Sequence, residues 1–474
     1  MKIRVISILL FLFGLGAGLT SCSVFEVQFQ NDSAIANLEA DDRASEEDSL
    51  VIRWPQSYVT GADDVLVRLV REWEKSSGIK TTLLLKPEPL DEVVYKRIEQ
   101  GRSADIILFI GESIVSKLAW EGKLLDVSDV INPIRDSFNP AALNSINYLN
   151  KTRNQRSFYA IPTGITTYNI HYWKPYLDRL GLKASDIPQD WHGFWQFWQE
   201  VRDRLHQLGE TGITSFCLTL NKDDGDGQDT LLHFLHGHNV NIFDNEGRSI
   251  VDRQENRQGL INALSQLSDL YRDGYIPPSS MEWTGAGNNF QFLDRQCLLV
   301  SNTSLSIPAT QKLPDSPYTK NEKNRYLNEI VTLSPWPNTV NGSPFKVFVE
   351  FPLLIVPAHT QHQEAAKKFL AYLLQPKNLQ VLIEQERGRV LPPIKELSNT
   401  SFWQDANDPH FDAVRVVSEQ IQPYPTTNPA SAETIEQKIL TTALERVIRD
   451  GISPEEAADE AIVRIQKIVN RYNQ

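Results

Sequence analysis

The sequence predicts an α/β layer fold arranged in two parts. Strand-like and helix-like segments alternate from residue 50 to residue 122, and this alternation is typical of helices packed on a mostly parallel sheet. The segment "DIILFI" (105–110) is short and apolar, as expected for a strand covered on both faces. The body of the chain, residues 50–474, is too long for one ordinary domain and natural for two.

The first strands and helices of the body are predicted from the spacing of their apolar residues. "SLVIRW" (49–54) and "KTTLLLK" (80–86) read as strands, and "LDEVVYKRIEQG" (90–101) reads as a helix. The first helix lies between the two strands, beginning near Asp63 and ending at Gly78. Its predicted buried face consists of Val65, Leu66, Leu69, Val70 and Trp73.

The end of the chain is helical. Ser453 precedes Pro454, and Glu456 lies three residues after Ser453, which is the pattern of a capped helix N-terminus. The predicted core stripe of this last helix consists of Ala461, Ile462, Ile465 and Val469.

The N-terminus has the pattern of a secretory signal peptide. Lys2 and Arg4 precede an apolar run, Val5–Leu19, which is shorter than a bilayer-spanning helix requires. The run ends in "LTSC" (19–22), which resembles the bacterial lipobox. We therefore predict a lipoprotein signal peptide over residues 1–22 and lipidation of Cys22; a short N-terminal anchor helix is the alternative.

The segment that follows is predicted to be a disordered tether. Residues 23–49 contain eight acidic residues and one arginine, without a sustained apolar period, so they cannot bury enough surface to fold. The whole chain has a net charge of −13 and no basic cluster, which argues against a nucleic-acid partner. We expect an exported, membrane-anchored protein that faces the periplasm or the cell exterior.

The remaining cysteines and the histidine cluster do not predict a metal or cofactor site. Cys217 and Cys297 lie in apolar strand-like runs, and the sequence leaves open whether they pair or stay as buried thiols. "HFLHGH" contains three close histidines without a fourth ligand. We therefore predict neither a metal nor a cofactor.

Several segments together resemble the family 1 extracellular solute-binding proteins of ABC importers. These segments are "SADIILFIGESIVSKLAWEGKLLDVSDVI" (103–131), "SFYAIPTGITTYNIHYWKPYLDRLGL" (157–182), "FLDRQCLLVSNTSLS" (292–306) and "EAAKKFLAYLLQPKNLQVLIEQERGRVLPPIKEL" (364–397). The resemblance spans nearly all of residues 50–472, in order.

The resemblance implies a two-lobed periplasmic-binding-protein fold of type II, with a ligand cleft between lobes joined by crossing strands. On this chain, lobe 1 is expected to hold residues 50–163 and 350–395. Lobe 2 is expected to hold residues 164–349 and 396–474. The lobes are expected to close around the ligand, with the crossing strands absorbing the motion.

The resemblance also implies a ligand and a set of site positions. The ligand is expected to be a sugar or oligosaccharide, with Trp283 and Trp336 as stacking platforms and Glu112 and Asp226 as hydroxyl acceptors. The ligand-binding positions are Gln56, Tyr58, Glu112, Thr166, Asp226, Gln228, Trp283, Asn302, Trp336 and Tyr424. Two departures from the family pattern are Ser304, where a tryptophan is usual, and Glu350-Phe351, where glycine-rich backbone is usual.

The predicted function is therefore capture of a solute and its delivery to ABC permease and ATPase subunits by a monomeric, non-catalytic protein. Because Asp and Glu abound, a tethered glycoside-processing enzyme is an alternative. An orphan or sensor-coupled binding protein is another.

Overall fold

The fold is described from a computed structural model. This structure describes residues 49–57, 59, 61–86, 91–110, 113–244, 247–313, 319–418, 421–423 and 429–472. The predicted signal peptide, the lipidation at Cys22 and nearly all of the predicted tether lie outside these residues, so all three stay predictions.

Strands and helices alternate through most of the described chain. The strands are β1 (Leu50–Pro55), β2 (Thr81–Lys86), β3 (Ile106–Ile110), β4 (Asn147–Asn150), β5 (Gln155–Phe158), β6 (Ile161–Pro162), β7 (Tyr168–Trp173), β8 (Thr214–Cys217), β9 (Cys297–Thr303), β10 (Ile330–Leu333), β11 (Val347–Val349), β12 (Pro352–Ile355) and β13 (Ile421–Pro423). The α-helices are α1 (Ala62–Ser77), α2 (Asp91–Glu99), α3 (Ser113–Trp120), α4 (Ser128–Ile131), α5 (Pro140–Asn144), α6 (Lys174–Arg179), α7 (Trp191–Gln207), α8 (Gly225–Gly237), α9 (Gln254–Arg272), α10 (Gly287–Leu293), α11 (Ser306–Gln311), α12 (Lys320–Asn324), α13 (Gln363–Leu373), α14 (Pro376–Gln385), α15 (Phe411–Ser418), α16 (Pro429–Glu436), α17 (Ile439–Glu445) and α18 (Pro454–Tyr472).

The first sheet contains the three strands predicted at the start of the body. Its order is β2-β1-β3-β12-β6, with β1 parallel to both β2 and β3, and β12 antiparallel to β3. Leu50, Val51 and Ile52 are at most 1% exposed, and they share an apolar core with α1, α3 and α13. The predicted strands over 49–54, 80–86 and 105–110 are confirmed.

The helices predicted from periodicity are also confirmed. α1 buries Leu66, Leu69, Val70 and Trp73, and Gly78 ends the helix with φ 71°, a conformation that glycine adopts without strain. At the start of α18, the backbone N–H of Glu456 donates to the Ser453 hydroxyl over 3.1 Å. The predicted core stripe of α18 is buried.

A second sheet has its own apolar core. Its order is β10-β7-β9-β8, and β8 runs parallel to β9. Helices α7, α8, α9, α17 and α18 bury their apolar faces in this second core. The tryptophans of α7 are almost fully buried there; they are Trp191, Trp195 and Trp198.

The chain passes between the two sheets through short paired segments. Thr166 pairs with Glu350 and Ile165 pairs with Leu391 in isolated antiparallel bridges, and β11 pairs in parallel with β13. Two sheets with separate cores, joined by paired crossing segments, confirm the predicted α/β fold with two lobes. We call the part built on the first sheet lobe 1 and the part built on the second lobe 2.

The contacts of one segment differ from the expected division into lobes. Leu397, Trp403 and Phe411 pack in the core of the first sheet, although residues 396–474 were assigned to lobe 2. These contacts favour a later start for the last segment of lobe 2. The residue boundaries of the lobes stay a prediction.

The two cysteines that the sequence left unassigned are joined in a disulfide. Cys217 at the end of β8 and Cys297 at the start of β9 have Cα atoms 5.7 Å apart. The bond therefore ties together two strands of the second sheet. Within the described ranges, no helix is both long enough and apolar enough to cross a bilayer.

Candidate functional site

The walls of the cleft are expected at the carboxyl ends of the parallel strands, where ligands of open α/β sheets bind. In lobe 1 these are the ends of β1 and β3, from which the chain leads into α1 and α3. In lobe 2 they are the ends of β8 and β9, from which it leads into α8 and α11. The polar side chains at the lobe 2 edge form the candidate site.

Asp226 lies in the first turn of α8, beside two other carboxyl groups. The N-cap residue Asp224 accepts hydrogen bonds from the backbone N–H groups of Asp226 (3.1 Å) and Gly285 (2.8 Å). Burial, followed by the nearby Asp224 and Asp229 carboxylates, raises the pKa of Asp226 well above its usual range. A hydrogen bond from the Asn288 side chain lowers the pKa of Asp226 and so partly offsets this rise.

Asn288 also connects Asp226 to the end of β9. Asn302 is 5% exposed and donates from its Nδ2 to Asn288 Oδ1 over 3.3 Å and to the side chain of Asn289. Its Oδ1 accepts from the Ser306 hydroxyl over 2.7 Å. The side chains of Asp226, Asn288 and Asn302 thus form a connected hydrogen-bonded group, which we call the Asn288 cluster; within it, Asn288 is 1% exposed.

The first turn of α8 needs glycine to reach this position. A Cβ atom on Gly227 would lie 2.1 Å from the backbone oxygen of Asn221, far closer than atoms can approach. Glycine therefore lets the loop after β8 fold back onto the helix start, beside Asp226.

One side-chain hydrogen bond ties α8 to β7, and a second lies within α8. The Tyr168 hydroxyl donates to the Asp229 carboxylate, and His233 Nδ1 lies 2.6 Å from the Asp229 backbone oxygen. Because burial lowers the pKa of His233 to about 3, this histidine is neutral and donates from Nδ1. The contacts hold the α8 helix in place beneath the cluster.

The two tryptophans predicted as stacking platforms lie inside lobe 2. Trp336 is 2% exposed, its ring stacks on His233 and Phe345, and its Nε1 donates to the Tyr168 backbone oxygen over 2.9 Å. Trp283 is 8% exposed and donates to the Ser279 hydroxyl over 3.1 Å. In this arrangement both rings are used in packing, so their stacking on a ligand stays a prediction.

Other predicted positions lie at different places in the fold. Gln56 is exposed after β1, where its backbone N–H donates to Lys86 over 3.1 Å. Thr166 is 5% exposed and lies on the crossing segment paired with Glu350. Gln228 is half-buried on α8.

Three predicted positions, Tyr58, Glu112 and Tyr424, lie outside the described residues. Among the other predicted positions, the structure brings Asp226 and Asn302 together through Asn288. Sequence reasoning missed Asn288 and Asn289; the available signal was the amide pair in "GAGNNF", shortly before the strand "CLLV".

The side chains of the cluster offer hydrogen-bonding groups rather than a set of metal ligands. In the part of the chain that the structure describes, no three His, Cys, Asp or Glu side chains are placed to hold a metal ion. Amide groups both donate and accept, while a carboxyl group accepts and, when protonated, also donates. Such an array suits a small molecule with several hydroxyl groups.

Comparisons with known proteins agree with this architecture. A curated relative, the putative ABC transporter periplasmic-binding protein YcjN of Escherichia coli K12, is 21% identical over 345 residues, which cover 72% of each chain. The solved structure of an ABC transporter solute-binding protein from Thermotoga lettingae, bound with α-D-tagatose, is similar with a TM-score of 0.71 and 15% identity. The match covers 89% of this chain and 99% of that one. Maltose-bound MalE3 of T. maritima gives the same TM-score and coverage at 14% identity.

The family assignment rests on a family model that matches more than half of the chain. The model of the bacterial extracellular solute-binding proteins matches residues 91–413, a stretch that contains the crossing segments at Thr166 and Glu350 and every member of the Asn288 cluster. The chain therefore belongs to the bacterial extracellular solute-binding protein family.

Proposed function

We propose that this protein captures a carbohydrate outside the cytoplasm and delivers it to an ABC importer while anchored to the membrane by a lipid on Cys22. The observation that carries the carbohydrate assignment is the Asn288 cluster. Its amide and carboxyl groups lie at the carboxyl edge of the lobe 2 sheet, where the fold is expected to bind its ligand.

The related structures support a sugar as the ligand class. Those solved with α-D-tagatose and with maltose share the fold of this chain at a TM-score of 0.71. A sugar offers hydroxyl groups that donate and accept at once, and amide side chains such as those of the Asn288 cluster can do both as well. The paired crossing segments are suited to a closing motion in which lobe 1 covers a ligand held on lobe 2.

We propose that the protein returns its ligand unchanged. A tethered glycoside-processing enzyme is the alternative from another class, and such an enzyme needs two carboxyl groups on either side of the scissile bond. The described carboxyl groups at the site, Asp224, Asp226 and Asp229, instead follow one another on the loop and first turns of a single helix. This arrangement favours binding over hydrolysis.

The test uses purified mature protein and a panel of mono- and oligosaccharides. Thermal-shift screening followed by calorimetric titration should identify a sugar that binds. Mass spectrometry after long incubation at high protein concentration should recover that sugar intact. Release of shorter sugars would favour the enzyme, whereas absence of binding across the panel would contradict the carbohydrate assignment.

Delivery to an importer requires a separate test. Reconstitution with ABC permease and ATPase subunits from the same organism should give ligand-dependent stimulation of ATP hydrolysis. An orphan or sensor-coupled binding protein would bind the sugar without this stimulation.

A further inference from the structure

We infer that the cleft selects a short carbohydrate, one or two rings long, because the two lobes touch at neighbouring points along its edge. This inference rests on the proposed function and adds a limit on ligand length to it. Two independent contacts between the lobes carry the argument.

The first contact joins the segment after β1 to the helix after β9. Val59 and Ala62 of lobe 1 form a small buried cluster with Ala309 of α11, and these three residues are between 0% and 4% exposed. Since each segment follows the carboxyl end of its strand, the cluster lies where the edges of the two sheets face each other.

Polar and apolar contacts fasten both ends of α11 to lobe 1. At its start, the Leu305 backbone N–H donates to Gly388 over 3.3 Å, and the Leu305 side chain packs in the core of the first sheet. A Cβ on Gly388 would lie 2.6 Å from Leu305 Cδ1, so glycine is needed for this approach. After the end of α11, Arg387 Nη1 donates to the Lys312 backbone oxygen over 2.8 Å.

The second contact joins α3, which follows β3, to α16 of lobe 2. The two helices pack together, and Lys117 on α3 bonds Glu436 on α16 through both carboxylate oxygens, at 3.0 and 3.3 Å. Their side chains are only 19% and 30% exposed. Small buried residues, Ala430, Ser431 and Ala432, begin α16, and their size permits close packing of the helices.

The positions of these contacts limit the ligand. β1 and β3 are adjacent strands, and adjacent strands lie about 4.8 Å apart. A long oligosaccharide lying along the cleft would cross the ends of successive strands and would have to displace one of the two contacts. A mono- or disaccharide held at the Asn288 cluster needs only the part of the cleft beside β8 and β9.

The first experiment measures binding against chain length in matched series. Glucose to maltotetraose, xylose to xylotetraose and galactose to galactotetraose would be titrated calorimetrically into the mature protein. In the series that binds, we expect the lowest Kd at one or two rings and at least a tenfold higher Kd at four. Equal or tighter binding of the tetrasaccharide would overturn the length limit and leave the proposed function standing. No binding in any series would overturn both.

The second experiment removes one contact. The double variant Lys117→Ala/Glu436→Ala should tighten tetrasaccharide binding at least tenfold, with less than a threefold change for the short ligand. The matched control is Arg257→Ala/Asp459→Ala, which removes an exposed pair with a 2.6 Å contact between α9 and α18, within lobe 2. If Kd depends on ligand length in the same way in both double variants, the Lys117–Glu436 contact does not limit the length of the ligand.

Discussion

Thr166 and Glu350 exchange two backbone hydrogen bonds, of 2.9 and 3.0 Å, where the chain crosses between the lobes. The Thr166 hydroxyl also donates to the Glu350 backbone oxygen over 3.2 Å. The crossing thus depends mainly on the main chain, which explains how Glu350 and Phe351 can occupy a place where the resemblance led us to expect glycine-rich backbone.

The first prediction separates a hinge role for Thr166 from the ligand-contact role predicted by resemblance. Thr166→Val removes the hydroxyl but keeps the backbone bridge. We expect the free energy of unfolding to fall by about 0.5–1.5 kcal/mol, measured by denaturant titration, with the sugar Kd unchanged within a factor of two. A tenfold rise in Kd without loss of stability would instead place Thr166 against the ligand.

The second prediction concerns Asn288. Asn288→Ala removes the donor to Asp226 and the acceptor for Asn302, so the Asn288 cluster loses its central group. We expect the Kd for the sugar found in the panel to rise at least tenfold, equivalent to about 1.4 kcal/mol, in calorimetric titration. Asn262→Ala, on the exposed side of α9, is the control. Equal Kd values for the two variants would remove Asn288 from the site.

The third prediction is a loss of stability in acid. Burial and the neighbouring His410 lower the pKa of His171 to about 3, below the 6.5 of an unfolded histidine. Between pH 6.5 and 3 the unfolded chain therefore binds a proton at this position that the folded chain does not bind. Each such histidine lowers the free energy of unfolding by up to about 1.4 kcal/mol per pH unit as the pH falls through that window.

The measurement compares variants, because carboxyl groups titrate in the same range. His171→Gln should give a shallower dependence of unfolding free energy on pH between 6.5 and 4.5 than the native chain gives. Asn262→Ala, at an exposed position on α9, removes no titratable group and should keep the native slope. Identical slopes for both variants would contradict the assignment.

The fourth prediction concerns the disulfide between Cys217 and Cys297. Its removal in Cys217→Ala/Cys297→Ala should lower the free energy of unfolding by about 2–5 kcal/mol, because it closes a long loop in the unfolded chain. Denaturant titration of the variant, beside the native protein, measures the loss. Reduction of the native protein, with both thiols shown to be free, should lower its free energy of unfolding by a comparable amount. A denaturation midpoint that does not change after reduction would contradict the prediction.

The fifth prediction concerns membrane attachment. If the thiol of Cys22 carries the lipid, Cys22→Ser should leave the precursor uncut and without acyl chains, because serine has no thiol to receive them. The variant would then lack the chains that give a stable anchor. Mass spectrometry of the N-terminal peptide from the membrane fraction checks this. A serine variant that is still cut before residue 22 and acylated would refute the lipoprotein assignment.

Local pattern was sufficient to predict the early strands and the helix faces. The apolar spacing of Leu66, Leu69 and Trp73 follows the helical period, and these residues are buried as that period requires. The strand "DIILFI" was predictable because a short apolar run is stable only when both of its faces are covered.

Contacts between distant segments could not be predicted in the same way. Trp336 lies in a stretch rich in proline and asparagine that resembles an exposed loop, yet His233, from another part of the chain, covers its ring. Asn288 belongs to a seven-residue helix, too short to show a period, and its partner Asp226 is distant in sequence. The cysteine pairing likewise depended on β8 and β9 being neighbours in the sheet.

The disulfide has a further consequence for the integrity of the protein outside the cell. The 80-residue interval between Cys217 and Cys297 contains α8, α9 and α10, so Asp226 and Asn288 lie within one covalent ring. An extracellular protease that cuts a single loop of this ring produces two chains that remain joined. The side chains of Asp226 and Asn288 would then stay on one covalently joined molecule after such a nick, until the sulfur–sulfur bond is reduced.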